Sequence, residues 1–173
     1  MKLFFAIILL LVSAGSYSDT VIHREKSLYR NIVVTEKAGK RCLVFSVKRQ
    51  ERNQTCVDIN DPKHIVFAYV RMIFAGLLVN PEPNRGLMIG MGGGTISSVL
   101  TSIYPDLTMD LVEVDAAVVK VATDYFGFIK TPQIDVHVTD GRVFARRALR
   151  RKEKYDLIIL DAFTGEYIPE LLM

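Results

Sequence analysis

The chain is poor in the residues that soft metals need. Its 173 residues include two cysteines, Cys42 and Cys56, and three histidines, with none of the close pairings that mark a zinc site. No metal is therefore expected. A strong charge bias is also missing. The formal charge is +3 and falls by one unit if Lys2 leaves with a leader, too small an excess to imply nucleic acid or an anionic membrane surface. Arg142, Arg146, Arg147, Arg150, Arg151 and Lys152 do crowd one segment, which reads first as a solvated helix face and second as a site for an anionic partner. The apolar run Leu3 to Val12 falls short of the roughly 20 residues of a comfortable membrane span. No cysteine follows it, which argues against a lipoprotein anchor. No internal repeat or low-complexity tract is visible. Half of the chain is apolar, so one main domain has ample material for a core.

What is present begins with a leader. Met1-Lys2, the apolar run and the small residues Ser13, Ala14, Gly15 and Ser16 have the layout of a secretory signal peptide or short anchor over residues 1–18, with cleavage expected after Gly15 or Ser18. The chain is accordingly expected to be exported to the periplasm or membrane-associated through this leader, with a cytoplasmic location as the alternative. In an oxidising compartment Cys42 and Cys56 have two fates, a disulfide or two separate buried thiols. Asn53-Gln54-Thr55 is a glycosylation sequon only if the secretory pathway is eukaryotic.

Residues 19–62 read as a small β-hairpin domain. Leu28–Thr35 and Arg41–Val47 are β-rich runs separated by the turn-like insert Glu36–Lys40, and a third short strand is predicted over Gln54–Asp58. Asn60-Asp61-Pro62 punctuates the chain before a connecting segment, 63–84, whose helix is predicted from about Lys63 to Leu78 by Ile65, Phe67, Val70, Phe74 and Leu77. From Arg85 strands and helices alternate: Leu87–Gly90, Ile96–Tyr104, Met109–Val114, Ala116–Phe126, Ile134–Val138, Arg142–Arg150 and Asp156–Leu160. Such alternation predicts an α/β, doubly wound, Rossmann-like domain over 85–173, its crevice beyond the carboxyl ends of parallel strands. The last strand, Leu157-Ile-Ile-Leu160, is apolar throughout, as in a strand with neighbours on both sides. No later strand follows in the sequence, and the domain is expected to be incomplete at its C-terminus.

The most informative stretch is Gly86-Leu-Met-Ile-Gly90-Met-Gly92-Gly93-Gly94-Thr95, a buried strand running into a glycine turn and then a helix. Gly90, Gly92 and Gly94 permit positive φ and close approach of a ligand to the backbone. Glu113 ends the next strand, where a carboxylate can accept both ribose hydroxyls. The bland alternative is a tight strand-to-helix turn. The third glycine comes one position early for the dinucleotide fingerprint, with Thr95 in its usual place. Glu113, Asp115, Asp140 beside Gly141, and Asp161 follow successive strands, which suits a ligand with ribose, adenine amine and positive charge better than a pyrophosphate. Asp115 reads mainly as a helix cap and Asp140 equally as a cap or an adenine contact. Asp161, directly after a buried strand at the crevice, is poorly placed for a structural role alone.

Ile89-Gly-Met-Gly-Gly-Gly94, Leu111-Val-Glu-Val-Asp115, Thr139-Asp-Gly-Arg-Val-Phe144 and Tyr155-Asp-Leu-Ile-Ile-Leu-Asp161 together resemble the polyamine aminopropyltransferases, the spermidine synthase family. The resemblance implies a fold of the S-adenosylmethionine-dependent methyltransferase type and decarboxylated S-adenosylmethionine as co-substrate. It also implies Glu113 on the ribose, Asp140 on the adenine, Asp161 as catalytic base, and Gln54, or else Gln50, reaching in from the β-domain. Tyr69 would orient the amine, or else belong to the core. The chain departs from the family pattern at Gly93 and Thr164, where the family carries acids, and at Phe67-Ala-Tyr69-Val-Arg71 on the connecting helix. These positions would hold a cationic amine, so a divergent member with a different small-amine acceptor is expected. Three functions stay open: aminopropyl transfer, methyl transfer from S-adenosylmethionine, and a non-catalytic nucleoside-binding module. A homodimer is left open, and the acceptor is not legible.

Overall fold

The computed structural model describes residues 19–47, 50–61 and 64–162. The leader, Pro62, Lys63 and Thr164 lie outside the described residues. Two sheets form the frame. The first is an antiparallel meander of β1 (Thr20–Lys26), β2 (Asn31–Lys37), β3 (Lys40–Val47) and β4 (Gln50–Asp58). The second is parallel throughout, with β5 (Arg85–Ile89), β6 (Thr108–Glu113), β7 (Ile134–Val138) and β8 (Leu157–Leu160) in the order β7-β6-β5-β8.

The small domain departs from the hairpin reading. β1 had no forecast, because His23, Arg24, Glu25 and Lys26 hide its alternation behind charge. Leu28 to Arg30 form no strand: the Ser27 hydroxyl oxygen accepts the N–H groups of Tyr29 and Arg30 and closes a turn there. The β2–β3 turn is tighter than its sequence suggests, with only Ala38 and Gly39 at positive φ (47° and 76°) and the flanking charged residues paired as strand. β4 begins earlier than the third strand was placed.

The connecting helix is also shorter than its periodicity suggested. Ile65 makes a bridge to Val57 and Phe67 is extended, so α1 spans only Ala68–Ala75, followed by a 3₁₀ turn at Gly76–Leu78. Beyond it the alternation reads almost as forecast, with α2 at Thr95–Ile103, α3 at Ala116–Phe126 and α4 at Gly141–Arg150.

Burial explains the layering. One face of the parallel sheet presents Met88, Met109, Leu111 and Ile159 to Val70 of α1, Ile96 and Leu100 of α2 and Ala122 of α3. The opposite face presents Leu87, Ile89 and Val112 to Phe144 of α4 and to Tyr155. The meander docks on α3, where Ile32, Val34, Leu43 and Phe45 meet Val118 and Val121. Burying a side chain of this kind contributes about 1.5–3 kcal/mol. This contact fixes the small domain against the site. β8 is half covered only: Ile159 is buried, whereas Ile158 and Leu160 are more than half exposed. Leu157-Ile-Ile-Leu160 is thus an edge among the described residues, as expected of an apolar strand with no later strand in the sequence to pair it.

Asp156 ties the start of the edge strand β8 to the start of β5, since its carboxylate accepts the N–H groups of Asn84 and Arg85. Asp110, Asp135 and His137 have ligand atoms within 4.8 Å of one another, but Asp110 is already engaged by His137, Arg85 and Tyr155 in a mixed ion and hydrogen-bond network. Among the described residues no helix is long and apolar enough to cross a membrane.

Candidate nucleoside and transfer site

Strand register brings the candidate residues together. Ile89 pairs with Val112 on one side and Leu160 on the other, and Glu113 pairs with Val138. Gly90, Glu113, Asp140 and Asp161 therefore leave the sheet at the same end. Because β8 lies beside β5 rather than β7, strand order reverses between the glycine loop and Asp161, which is where doubly wound folds form their crevice.

The glycine loop is tightly specified. Gly90, Gly92 and Gly94 take φ of 89°, 53° and 76°, a region open chiefly to glycine. At Gly90 a Cβ would stand 2.4 Å from the Asp161 carbonyl oxygen, so the loop and the end of β8 touch backbone to backbone. Several loop N–H groups are consumed within the protein. Gly90 donates to Val112 O, Met91 to Glu113 Oε2, Gly93 to Thr55 Oγ1 and Gly94 to Met91 O. A pyrophosphate cradle would turn such donors toward its ligand. This donor set fits an uncharged or cationic nucleoside better.

Glu113 is 7% exposed and accepts from Met91 N through one oxygen and Asp115 N through the other. Burial pushes its carboxyl above the ordinary range, opposed by those two N–H donors and the Arg30 charge. A carboxylate has about four lone-pair sites, so both oxygens keep capacity for ribose hydroxyls. Asp115 is the α3 cap, accepting Ala117 N, and it also takes the Ser27 hydroxyl from the meander. Asp140 caps α4 through Oδ1, which accepts Arg142 N and Val143 N, and Gly141 opens that helix. The capping readings of both acids are what the geometry displays.

Asp161 stands where the β-domain, α1 and the glycine loop converge. Burial raises its carboxyl to about 6, although the hydrogen bond from Tyr69 works the other way. Tyr69 Oη donates to Asp161 Oδ2 at 3.4 Å, and its own pKa is raised to about 12 by burial and by that carboxylate. Gln54, Thr55, Phe67, Tyr69, Met91 and Asp161 line a narrow slot of about 20 Å³. That is room for a single small group such as a water or an amine nitrogen. The side chain of Gln50, the alternative to Gln54, is outside the described set. Thr55 is the site residue that sequence reasoning missed, since it was read only as part of a short strand and of a sequon, and nothing in its spacing links it to a loop in another domain.

Fold and site together define a Rossmann-like α/β protein with acids on successive strand ends and a carboxylate poised at the switch point. Residues 66–170 match the family model "Spermine/spermidine synthase domain", and the chain belongs to that family. It is 50% identical, over 99% of its length, to a polyamine aminopropyltransferase of Vibrio vulnificus strain CMCP6, of which it spans 58%. A bovine eEF1A lysine and N-terminal methyltransferase is 31% identical over 58% of the chain and 16% of that relative. Among solved structures, a spermidine synthase in complex with the transition state analogue AdoDATO superposes with a TM-score of 0.64 and 26% identity, covering 84% of this chain and 47% of that one. The chain thus spans little more than half the length of the aminopropyltransferase that it resembles so strongly.

Proposed function

We propose that this chain carries the nucleoside and transfer site of an aminopropyltransferase that moves an aminopropyl group from decarboxylated S-adenosylmethionine to a small amine. The observation that carries the reading is Asp161, raised to about 6 at the switch point, bonded by Tyr69 and backed against Gly90. When bound, the sulfonium co-substrate supplies the electrophilic carbon. Glu113 would hold its ribose and the glycine loop its nucleoside face, with Gln54 and Asp140 as further contacts. An amine must lose its charge before it can attack, and a carboxylate that titrates near 6 is ionised at neutral pH and able to take that proton. The slot beside Asp161 has room for one small group, which is compatible with the nitrogen of an amine acceptor.

Methyl transfer from S-adenosylmethionine is the second reading, favoured by the methyltransferase relative and by Gly93, which sets no acid against a cofactor carboxylate. The acceptor is an amine in both cases. Incubation of the chain with each sulfonium donor and a panel of amines separates them: methylthioadenosine reports aminopropyl transfer and S-adenosylhomocysteine methyl transfer. Nucleoside binding with neither product would favour the non-catalytic module. Export, or membrane association through residues 1–18, forms part of the same proposal, supported by the leader composition and by the Cys42–Cys56 disulfide.

A further inference from the structure

Gly93 differs from its neighbours in the loop. Gly90, Gly92 and Gly94 are at positive φ, whereas Gly93 is not, so its backbone would tolerate an ordinary side chain. Space forbids one. A Cβ at Gly93 would lie 2.6 Å from Thr55 Cγ2, 3.1 Å from Thr55 Cβ and 3.2 Å from the Phe126 ring, and a Cβ at Gly92 would lie 2.7 Å from Thr55 Oγ1. The same Thr55 hydroxyl accepts the Gly93 N–H at 2.8 Å. Thr55 comes from β4, in the other sheet, and its neighbour Cys56 is tied to Cys42 of β3.

We propose that Thr55 is a positioning residue, which reaches across from the small domain to fix the glycine loop through the Gly93 N–H while its methyl fills the volume a side chain at 93 would need. Each half of the contact has a job. The hydroxyl takes a donor that would otherwise be free to turn, and the methyl limits where the loop backbone can go. Gln54 and Cys56, on either side of Thr55, line the same slot as Asp161. One strand thereby sets both the loop that faces the nucleoside and the wall of the transfer slot. This inference rests on the nucleoside reading of the site for its consequence, but not for the contact itself.

Amide hydrogen exchange of the 173-residue chain, read at Gly93, tests the contact; calorimetric titration with methylthioadenosine tests its consequence. Thr55→Val keeps the shape and removes the acceptor, and should speed Gly93 exchange and weaken methylthioadenosine about ten-fold, the effect of one lost hydrogen bond. Thr55→Ser keeps the acceptor and should restore both to within about two-fold of wild type, a rescue that general loss of structure would not give. Gly93→Ala should lower the melting temperature, and adding Thr55→Ser, which removes Cγ2, should recover part of that loss. Unchanged Gly93 exchange in Thr55→Val, or equal defects in Thr55→Val and Thr55→Ser, would overturn the proposal. If the wild-type chain binds no methylthioadenosine, the nucleoside reading fails, while the exchange comparison still decides the contact.

Discussion

Tyr69 and Asp161 meet hydroxyl to carboxylate at 3.4 Å, one from α1 outside the parallel sheet and the other from the end of its edge strand. The pair joins the connecting segment to the crevice, and it has a defined response to pH. Burial raises Asp161 to about 6, so the carboxyl is neutral below that value and ionised above it. Transfer should rise with pH through a midpoint near 6. Asp161→Asn should cost about 10²–10⁴ in rate and abolish that limb. Tyr69→Phe removes the donor that favours the ionised form and should move the midpoint upward. A flat profile from pH 5 to 7.5 in the wild type would remove Asp161 as the base.

The same shift has a stability sign. The native state holds the Asp161 proton more tightly than the unfolded chain does, so this group's contribution is complete below the ordinary carboxylate value of 3.8 and is lost as pH rises through about 6. Urea melts of wild type and Asp161→Asn should therefore converge at low pH, with the wild type falling behind the variant between about pH 4 and pH 6. A constant difference across that window would contradict the raised value.

Glu113 performs two tasks with one carboxylate, which makes its conservative replacement informative. Glu113→Gln keeps the volume but sets an NH₂ against one of the two N–H groups that the acid now accepts, those of Met91 and Asp115. Charge-assisted hydrogen bonds contribute about 1.5–3 kcal/mol each. Methylthioadenosine affinity should fall ten-fold or more, with a lower melting temperature from the disturbed loop. Equal affinity in the folded variant would move the ribose away from Glu113.

Much of this site is legible in the sequence because strand ends and glycines carry their own physics. The places of Gly90 and Glu113 at the ends of neighbouring strands could be read from one strand-turn-helix pattern, and that of Asp161 from the apolar run before it. The capping roles of Asp115 and Asp140 were equally visible as alternatives, since a carboxylate before a helix suits both uses. β1 was not legible, because its charged residues satisfy an exposed edge rather than a core. Thr55 was not legible either: its importance comes from a contact between domains that no local period encodes. Leu157-Ile-Ile-Leu160 was legible in both respects: its composition suits a covered strand, and the lack of a later strand in the sequence leaves it at the edge, where Ile158 and Leu160 are exposed.

Gly90 and Gly127 both have positive φ, at 89° and 69°, and offer a controlled comparison. Around Gly127 a Cβ would meet nothing within 4 Å, so Gly127→Ala should cost only the left-handed penalty of about 1–2 kcal/mol. Gly90→Ala adds a clash with the Asp161 backbone and should be far worse. Thermal melts followed by circular dichroism should rank wild type above Gly127→Ala and Gly127→Ala well above Gly90→Ala. Similar melting for the two variants would mean that the loop does not press against the end of β8.

Cys42 and Cys56 face each other directly across β3 and β4 and are joined, with a sequence separation of 14. Closing a loop of about that length stabilises by about 3 kcal/mol on the chain-entropy model. In a chain of this size each kcal/mol moves the melting temperature by about 2–4 °C, so reduction should lower it by about 6–12 °C. Cys42→Ser with Cys56→Ser should melt like the reduced wild type and ignore reductant. The bond also bears on location, because it persists only where thiols are not kept reduced. Mass spectrometry of protein from its native host should find the chain starting after Gly15 or Ser18, with neither cysteine open to alkylation. An intact Met1 terminus with two alkylatable thiols would defeat both the export proposal and the native pairing, and an absent response to reductant would show the cysteines unpaired in solution.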